Sequence, residues 1–244
     1  LRIIKHGMFT SQVTLPPTPF LRHITTGVAT PFPAITFCQV EFDSGCYADT
    51  LFSQHGIPFP SRLEKAVVKR RAEYLAARCA AGYLLQQAGC DGHVGSSASR
   101  APVWPAGWCG SLTHSHGHAM AVIAPVDAGL SPGIDIEMFD GKTMRETAEM
   151  FTSPQERQLL ANCGVEYETA LLITFSAKES LFKALYPQVG NFFGFDAARV
   201  CALDMTTGTI TLTLTLSLTP ERPQGSQLSG HFLIQQNRVI TLIA

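Results

Sequence analysis

From Thr209 to Leu218 the chain alternates without a break: Ile210, Leu212, Leu214, Leu216 and Leu218 hold every second position, with Thr or Ser between them. Residues two apart share one face of a strand, so this run buries its apolar set only when extended, and a helix is excluded. Residues 230–235 and 238–243 are expected to pair beside it in an antiparallel meander. The opposite signal lies upstream. Arg62 to Ala88 holds one glycine and no proline and is dense in Ala, Leu, Arg, Lys and Glu, which predicts one long helix stopped at Gly89.

The remaining segments fill in around these two. The first sixty residues are rich in Pro, Phe, Thr and Gly, and only Ile35 to Phe42 reads as a strand there. Gly92 to Arg100 is a small-residue loop, and the Pro and Gly content of residues 102–110 excludes a helix. Ser111 to Ser115, Ala119 to Ala124 and Ile134 to Ile136 read as short strands, with residues 125–132 as a connector. Ser153-Pro154-Gln155-Glu156 carries the capping serine, first-turn proline and third-position glutamate of a helix start. A further helix is expected from about Glu166 to Tyr186, ending at Pro187. The expected fold class is α+β: two similar α/β subdomains in a pseudo-twofold arrangement, each with a small, mainly antiparallel sheet and a long helix. The expected boundaries are 1–127 and 128–244.

Charge narrows the function. Eighteen basic and nineteen acidic side chains give a net charge of -1, which excludes a broadly basic nucleic-acid binder. No apolar run reaches the roughly 18 to 20 residues needed to cross a bilayer, so no transmembrane segment is expected. Leu1 to Gln12 carries Lys5, His6 and polar breaks and does not read as a secretory segment. Seven scattered cysteines without a Cys-x-x-Cys pair argue against a disulfide framework and for a cytoplasmic protein.

Four constellations could carry chemistry. Asp135 and Glu137, two apart in G-I-D-I-E, share a strand face, and with helical Glu179 they could converge on a hard cation such as magnesium. Against this, a D-x-E pair in a strand is more often solvated or salt-bridged. Glu179 and Lys183 lie four apart on one helix face beside Lys178; an ordinary surface pair is the competing reading. Arg62, Lys65, Lys69, Arg70, Arg71 and Arg78 concentrate positive charge on the first long helix, and Arg71 and Arg78 share a face. They form either a solvated face or a phosphate clamp. His114, His116 and His118 alternate, but Gly117 breaks the strand and no Glu or Cys completes a zinc set, so one functional histidine at a strand end fits better. The Walker A, dinucleotide-binding and nucleophile-elbow motifs do not occur.

Taken together, RRAEYLAAR (70–78), RAPVWPAGWCGSLTHS (100–115), GIDIE (133–137) and FSAKESLFKAL (175–185) resemble, in order and spacing, the motifs of 4'-phosphopantetheinyl transferases. The resemblance is to the surfactin-type, two-lobed group, nearest to the branch serving siderophore synthetases such as the enterobactin system. It covers about residues 65–186. It implies that the phosphopantetheine arm of coenzyme A moves to a serine of an apo aryl or peptidyl carrier protein, a domain of a nonribosomal peptide synthetase, with magnesium as cofactor and adenosine 3',5'-bisphosphate as leaving group.

By the same resemblance Asp135, Glu137 and Glu179 are the magnesium ligands, and Glu179 is the candidate base, directly or through a metal-bound water. Lys183 contacts the coenzyme A phosphates, and His114 binds a phosphate with Thr113 beside it. Arg71, Arg78 and Arg100 are candidates for the 3'-phosphate and adenine end. Lys178 lies in the motif and is grouped with the cofactor-binding residues. The first subdomain would be the coenzyme A phosphate and adenine side, the second the metal and carrier side. From the residues themselves, a carrier could dock near residues 139–151 through Met144, Met150 and Phe151, with a plain core role as the competing reading. A monomer is expected. Two departures stand out: Phe175 where many relatives have tryptophan, and Ala77 where close relatives often have glycine. The alternatives are a metal-dependent phosphohydrolase using the same acids, or a non-catalytic coenzyme A-binding module.

Overall fold

The computed structural model describes residues 7–244, so the reading of the extreme N-terminus lies partly outside the described residues. Two compact units emerge, one spanning Phe9–Pro132 and the other Gly133–Ala244. The division falls between Pro132 and Gly133, a few residues beyond the expected 127/128.

The first unit contains β1 (Phe9–Leu15), β2 (Leu21–Ala29), β3 (Phe32–Phe42), the short α1 (Thr50–Gln54), α2 (Val68–Gln87), β4 (Gly95–Ser96), β5 (Pro102–Val103), β6 (Trp108–Ser115) and β7 (His118–Pro125). Its five-stranded sheet runs β1-β2-β3-β7-β6, with every neighbour antiparallel. Helix α2 packs on one face, where Leu75, Ala76, Ala80, Leu84 and Leu85 meet Ile24, Val40, Ala119, Ala121 and Ile123. Strands β1 and β2 go beyond the sequence expectation. The prolines that obscured them sit between strands, Pro16, Pro17 and Pro19 in one connection and Pro31 in the next turn.

Helix α2 begins at Val68 rather than Arg62. Val67 is extended at φ -67° and ψ 153°, and residues 61–63 form a separate single turn. The β-branched Val67-Val68 pair disfavours continuing the helix backwards. Gly89 ends it at φ +74°, a conformation glycine adopts without steric cost.

The second unit contains β8 (Gly133–Met138), α3 (Gly141–Phe151), α4 (Pro154–Leu160), α5 (Tyr167–Val189), β9 (Ala198–Asp204), β10 (Thr209–Leu214), β11 (Gln227–Gln235) and β12 (Arg238–Ile243). Its sheet, β8-β12-β11-β10-β9, is also antiparallel throughout. The alternating run does form a strand, but β10 stops at Leu214. Beyond it, Thr215 N–H bonds Ala197 O and Leu218 N–H bonds Arg222 O, so residues 215–222 turn away before Pro223. Strand β9, unmarked in the sequence reading, completes the sheet edge.

The capping box at Ser153 forms as its residues require: Ser153 Oγ accepts from Glu156 N–H, and Glu156 Oε2 accepts from Ser153 N–H. Helix α5 runs through Pro187 to Val189 instead of stopping before it. In the last turn a proline removes one hydrogen bond at most, and Gly190, at φ +71°, closes the helix by bonding Tyr186 O. One contact fixes where α5 lies. A Cβ on Gly133 would sit 1.9 Å from Ser180 O and 2.6 Å from Ala184 N, so β8 and α5 meet backbone to backbone. Only a glycine permits that approach.

Candidate functional site

Strand alternation turns Gly133, Asp135 and Glu137 toward α5, while Ile134 and Ile136 are fully buried on the opposite face. The close approach at Gly133 brings α5 within side-chain reach. Lys183 Nζ donates to Asp135 Oδ1 at 2.7 Å and to Ile134 O at 3.0 Å. Ser176 Oγ donates to Asp135 Oδ2 at 2.9 Å and also contacts Thr241 Oγ1, which contacts Ser180 Oγ in turn. Asp135, Ser176, Ser180 and Thr241 are all buried, so this polar row is satisfied internally. Ser176 and Ser180 were not singled out in the sequence, although their four-residue spacing within the motif puts them on one helix face.

Glu137 and Glu179 complete the cluster electrostatically. Burial, then the Asp135 charge, and to a lesser extent Glu179, push the Glu137 carboxyl up to about 7 against the pull of Lys183. Burial and Asp135 likewise hold Glu179 above the usual carboxylate range, with Lys183 opposing. Three carboxylates therefore share one ammonium, and negative charge is in excess. An apolar cavity of about 200 Å3 adjoins Glu179, lined by Leu181, Phe182, Phe192, Phe193 and Phe195.

Lys178 does not join its neighbour. Its ammonium donates to Glu156 Oε1 at 2.8 Å, Phe151 O at 2.8 Å and Phe195 O at 3.1 Å. An ammonium has three N–H donors, so none remains for a coenzyme A phosphate, and the cofactor-binding expectation for Lys178 gives way to a role in the core. Glu156 Oε1 also accepts from Val200 N–H, tying α4, α5 and β9 together. Phe175, in the position where tryptophan is frequent, packs edge-on to Phe151 at 5.3 Å and against Phe195 at 5.5 Å.

In the first unit the cations of α2 diverge. Arg71 is tied down: its Nε donates to Leu63 O, its Nη1 to both oxygens of Asp49 and its Nη2 to Glu64 O. Through these contacts it braces residues 59–64. Arg78 is nine-tenths buried and stacks at 4.0 Å on Tyr74, whose ring Arg62 also covers at 5.3 Å. Both guanidiniums donate to Ser96 Oγ, at 3.2 Å from Arg78 and 2.9 Å from Arg62. Burial, aided by Arg62 and Arg70, lowers the Arg78 pKa to about 10. Ala77 is fully buried in the core, so its methyl packs against protein.

Arg70, passed over in favour of its neighbour, is the arginine that reaches the motif histidine. Its Nη1 lies 2.8 Å from His114 Nε2, and Glu73 Oε2 lies 3.6 Å from His114 Nδ1 and 3.8 Å from Arg70 Nη1. The contact spans 44 positions, so no local pattern marks it. Thr113 is buried on the opposite face of β6, across from Met120, and so does not stand beside His114 on one face. Arg100 is exposed in the loop before β5 with φ +70°. The other histidines diverge as well: His116 Nδ1 contacts Ser115 Oγ, and His118 lies 3.9 Å from Glu41.

Models of the 4'-phosphopantetheinyl transferase N-terminal domain and of the 4'-phosphopantetheinyl transferase superfamily match residues 59–124 and 131–242. The chain is 39% identical over 165 residues to enterobactin synthase component D of Escherichia coli (strain K12), covering 66% of this chain and 75% of that protein. This chain belongs to the 4'-phosphopantetheinyl transferase superfamily. The 4'-phosphopantetheinyl transferase Svp of Streptomyces mobaraensis is 34% identical over 194 residues, 75% of this chain and 76% of its own. The 4'-phosphopantetheinyl transferase PptT of Mycobacterium tuberculosis is 29% identical over 232 residues, 90% and 98% of the two chains.

Does the transferase have a donor set suited to magnesium? Among the described residues no three His, Cys, Asp or Glu side chains stand together so that they could hold a metal ion by themselves. Magnesium rarely asks for that: one or two carboxylates plus substrate phosphates and water suffice. The excess negative charge around Asp135, Glu137 and Glu179, expressed in two raised carboxyls, is the environment that a hard divalent cation relieves. Asp135 with a neighbouring acid is a donor set of the size magnesium takes when substrate phosphates and water complete it.

Proposed function

We propose that this transferase moves the 4'-phosphopantetheine group of coenzyme A to a serine of an apo carrier protein, with magnesium bound and adenosine 3',5'-bisphosphate released. The observation that carries the reading is the Asp135–Lys183 contact set among two carboxyls held above their ordinary range. Asp135, Glu137 and Glu179 would hold the ion together with pyrophosphate oxygens. Bound there, it supplies charge neutralisation at the pyrophosphate.

The chain's own groups account for the rest. The carrier serine oxygen forms a bond to the β-phosphorus while the phosphoanhydride bond breaks. A raised Glu179 carboxylate is a stronger base than an exposed one and stands beside the apolar cavity, placed to take the serine proton. Lys183 donates to Asp135 and Ile134 O and has a third N–H to direct at a phosphate oxygen as charge builds on the leaving group. Arg70 with His114, and Arg78 with Arg62, offer two separate groups of donors for the phosphates and adenine end of coenzyme A.

The carrier would dock on α3. Met144 and Phe151 are core residues, which leaves Met150, 76% exposed, as the apolar contact. Siderophore synthetase domains are the proposed carriers, a reading supported by the name of the Escherichia coli relative, enterobactin synthase component D. A monomer working in the cytoplasm completes the proposal; among the described residues no helix is long and apolar enough to cross a membrane.

The decisive test is intact-mass spectrometry of an apo aryl or peptidyl carrier incubated with the protein, coenzyme A and magnesium. The carrier gains one phosphopantetheine group, and Asp135→Ala and Glu179→Ala abolish the gain. Coenzyme A cleavage with an unmodified carrier would replace this reading with a phosphohydrolase, and binding without turnover would replace it with a binding module.

A further inference from the structure

Helix α2 places Arg70 and Glu73 one turn apart, and both turn toward His114 at the end of β6. A guanidinium is always a donor, so Arg70 Nη1 at 2.8 Å obliges His114 Nε2 to accept. The imidazole is thereby assigned as the neutral Nδ1–H tautomer, with that proton facing Glu73 Oε2 at ion-pair distance, 3.6 Å. Glu73 is largely covered, its side chain 12% exposed. The charged groups facing His114 from α2 are Arg70 and Glu73. Strand β7 sets Ala119 opposite it, while His118 on that strand lies near Glu41 of β3.

From this chain of contacts we infer that Glu73 is a positioning residue that makes the phosphate clamp proton-coupled. The inference rests on the reading of Arg70 and His114 as coenzyme A ligands. A phosphate arriving between them attracts Arg70 Nη1 away from the imidazole. Nε2 then takes a proton from solvent and donates it to the phosphate oxygen, while Nδ1–H stays directed at Glu73. No other bond changes. The Glu73 carboxylate stabilises the imidazolium so formed, as a carboxylate orients and charges a ligand histidine elsewhere. The first unit therefore grips its anion by gaining a positive charge at the moment of binding.

The test is calorimetric titration of coenzyme A into the full-length protein with magnesium at pH 8, in buffers of different ionisation enthalpy. The wild type takes up close to one proton per coenzyme A bound, and His114→Ala takes up none. In Glu73→Gln the uptake falls to about half and the dissociation constant rises about fivefold, the effect at pH 8 of losing about one unit in the bound imidazole's pKa. In turnover assays the same variant raises KM for coenzyme A and leaves kcat and the carrier KM near wild type, a split that a merely structural role would not give. Uptake in Glu73→Gln equal to wild type, or no uptake in the wild type, overturns the inference while the transferase reading stands. Unchanged coenzyme A affinity in both Arg70→Ala and His114→Ala removes the ligand from this site and the inference with it.

Discussion

The Nζ of Lys178 lies 2.8 Å from Oε1 of Glu156, with both side chains no more than 4% exposed. The next residue in sequence, Glu179, belongs to the acidic cluster, so one end of a core ion pair and a member of that cluster are neighbours on one helix. Burial lowers the Lys178 pKa, and Glu156 is what offsets that pull.

Glu156→Gln keeps the shape of the side chain and removes the counter-charge. Breaking a buried pair by deleting one partner costs about 3–5 kcal/mol, because the remaining charge is stranded. The urea midpoint of the variant should fall accordingly, and Glu156→Gln combined with Lys178→Met should recover most of the loss. A double variant no more stable than the single one would show that charge is not the reason for the pairing.

Glu137 makes a pH-dependent prediction. Its carboxyl is raised from 4.5 to about 7 in the folded protein, so the fold binds more protons than the unfolded chain between those values. Stability attached to this group is present below the unfolded value and is lost as pH rises through about 7. Without magnesium, Glu137→Gln should therefore melt higher than wild type at pH 8, with the gap closing toward pH 5. Magnesium with coenzyme A should raise the wild-type Tm more than that of the variant. Equal melting curves across the range would contradict the assignment.

Lys183 is the cation common to Asp135, Glu137 and Glu179. Lys183→Ala should lower the rate of holo-carrier formation about 100-fold at saturating substrates, the scale of losing one donor to developing charge. Rates within threefold of wild type would remove Lys183 from the chemistry.

Adjacent arginines should behave differently. Arg71→Ala releases Asp49 and the carbonyls of Leu63 and Glu64, so its first effect is on thermal stability. Arg70→Ala, on the exposed side of the helix, should leave Tm within a degree or two and raise the coenzyme A KM several-fold. The reverse pattern would return Arg71 to the binding site.

What was legible in the sequence follows the range of the interactions involved. Period-two and helix-favouring runs, the Ser153 capping box and the Gly89 stop are local, and each appears in the structure. Strands β1 and β2 were hidden because proline-rich connections dominate their composition, although the prolines lie largely between the strands. The acidic residues could be found because two of them share a strand and the third shares a short motif with Lys183. Three facts needed tertiary contacts: that Lys178 turns inward to Glu156, that Arg71 ties down a loop, and that Arg70 meets His114. A helix wheel specifies direction around an axis and not the identity of whatever stands there.

Gly133 contributes no side chain to the proposed chemistry, yet it sets how closely β8 and α5 approach. With a methyl group in its place, Ser180 and Ala184 would have to retreat, and the helix bearing Glu179 and Lys183 would retreat with them. A descendant of this chain could then keep every acid and every cation and still be inert. In this lineage, decay can begin at a position that no inventory of reactive groups would think to inspect.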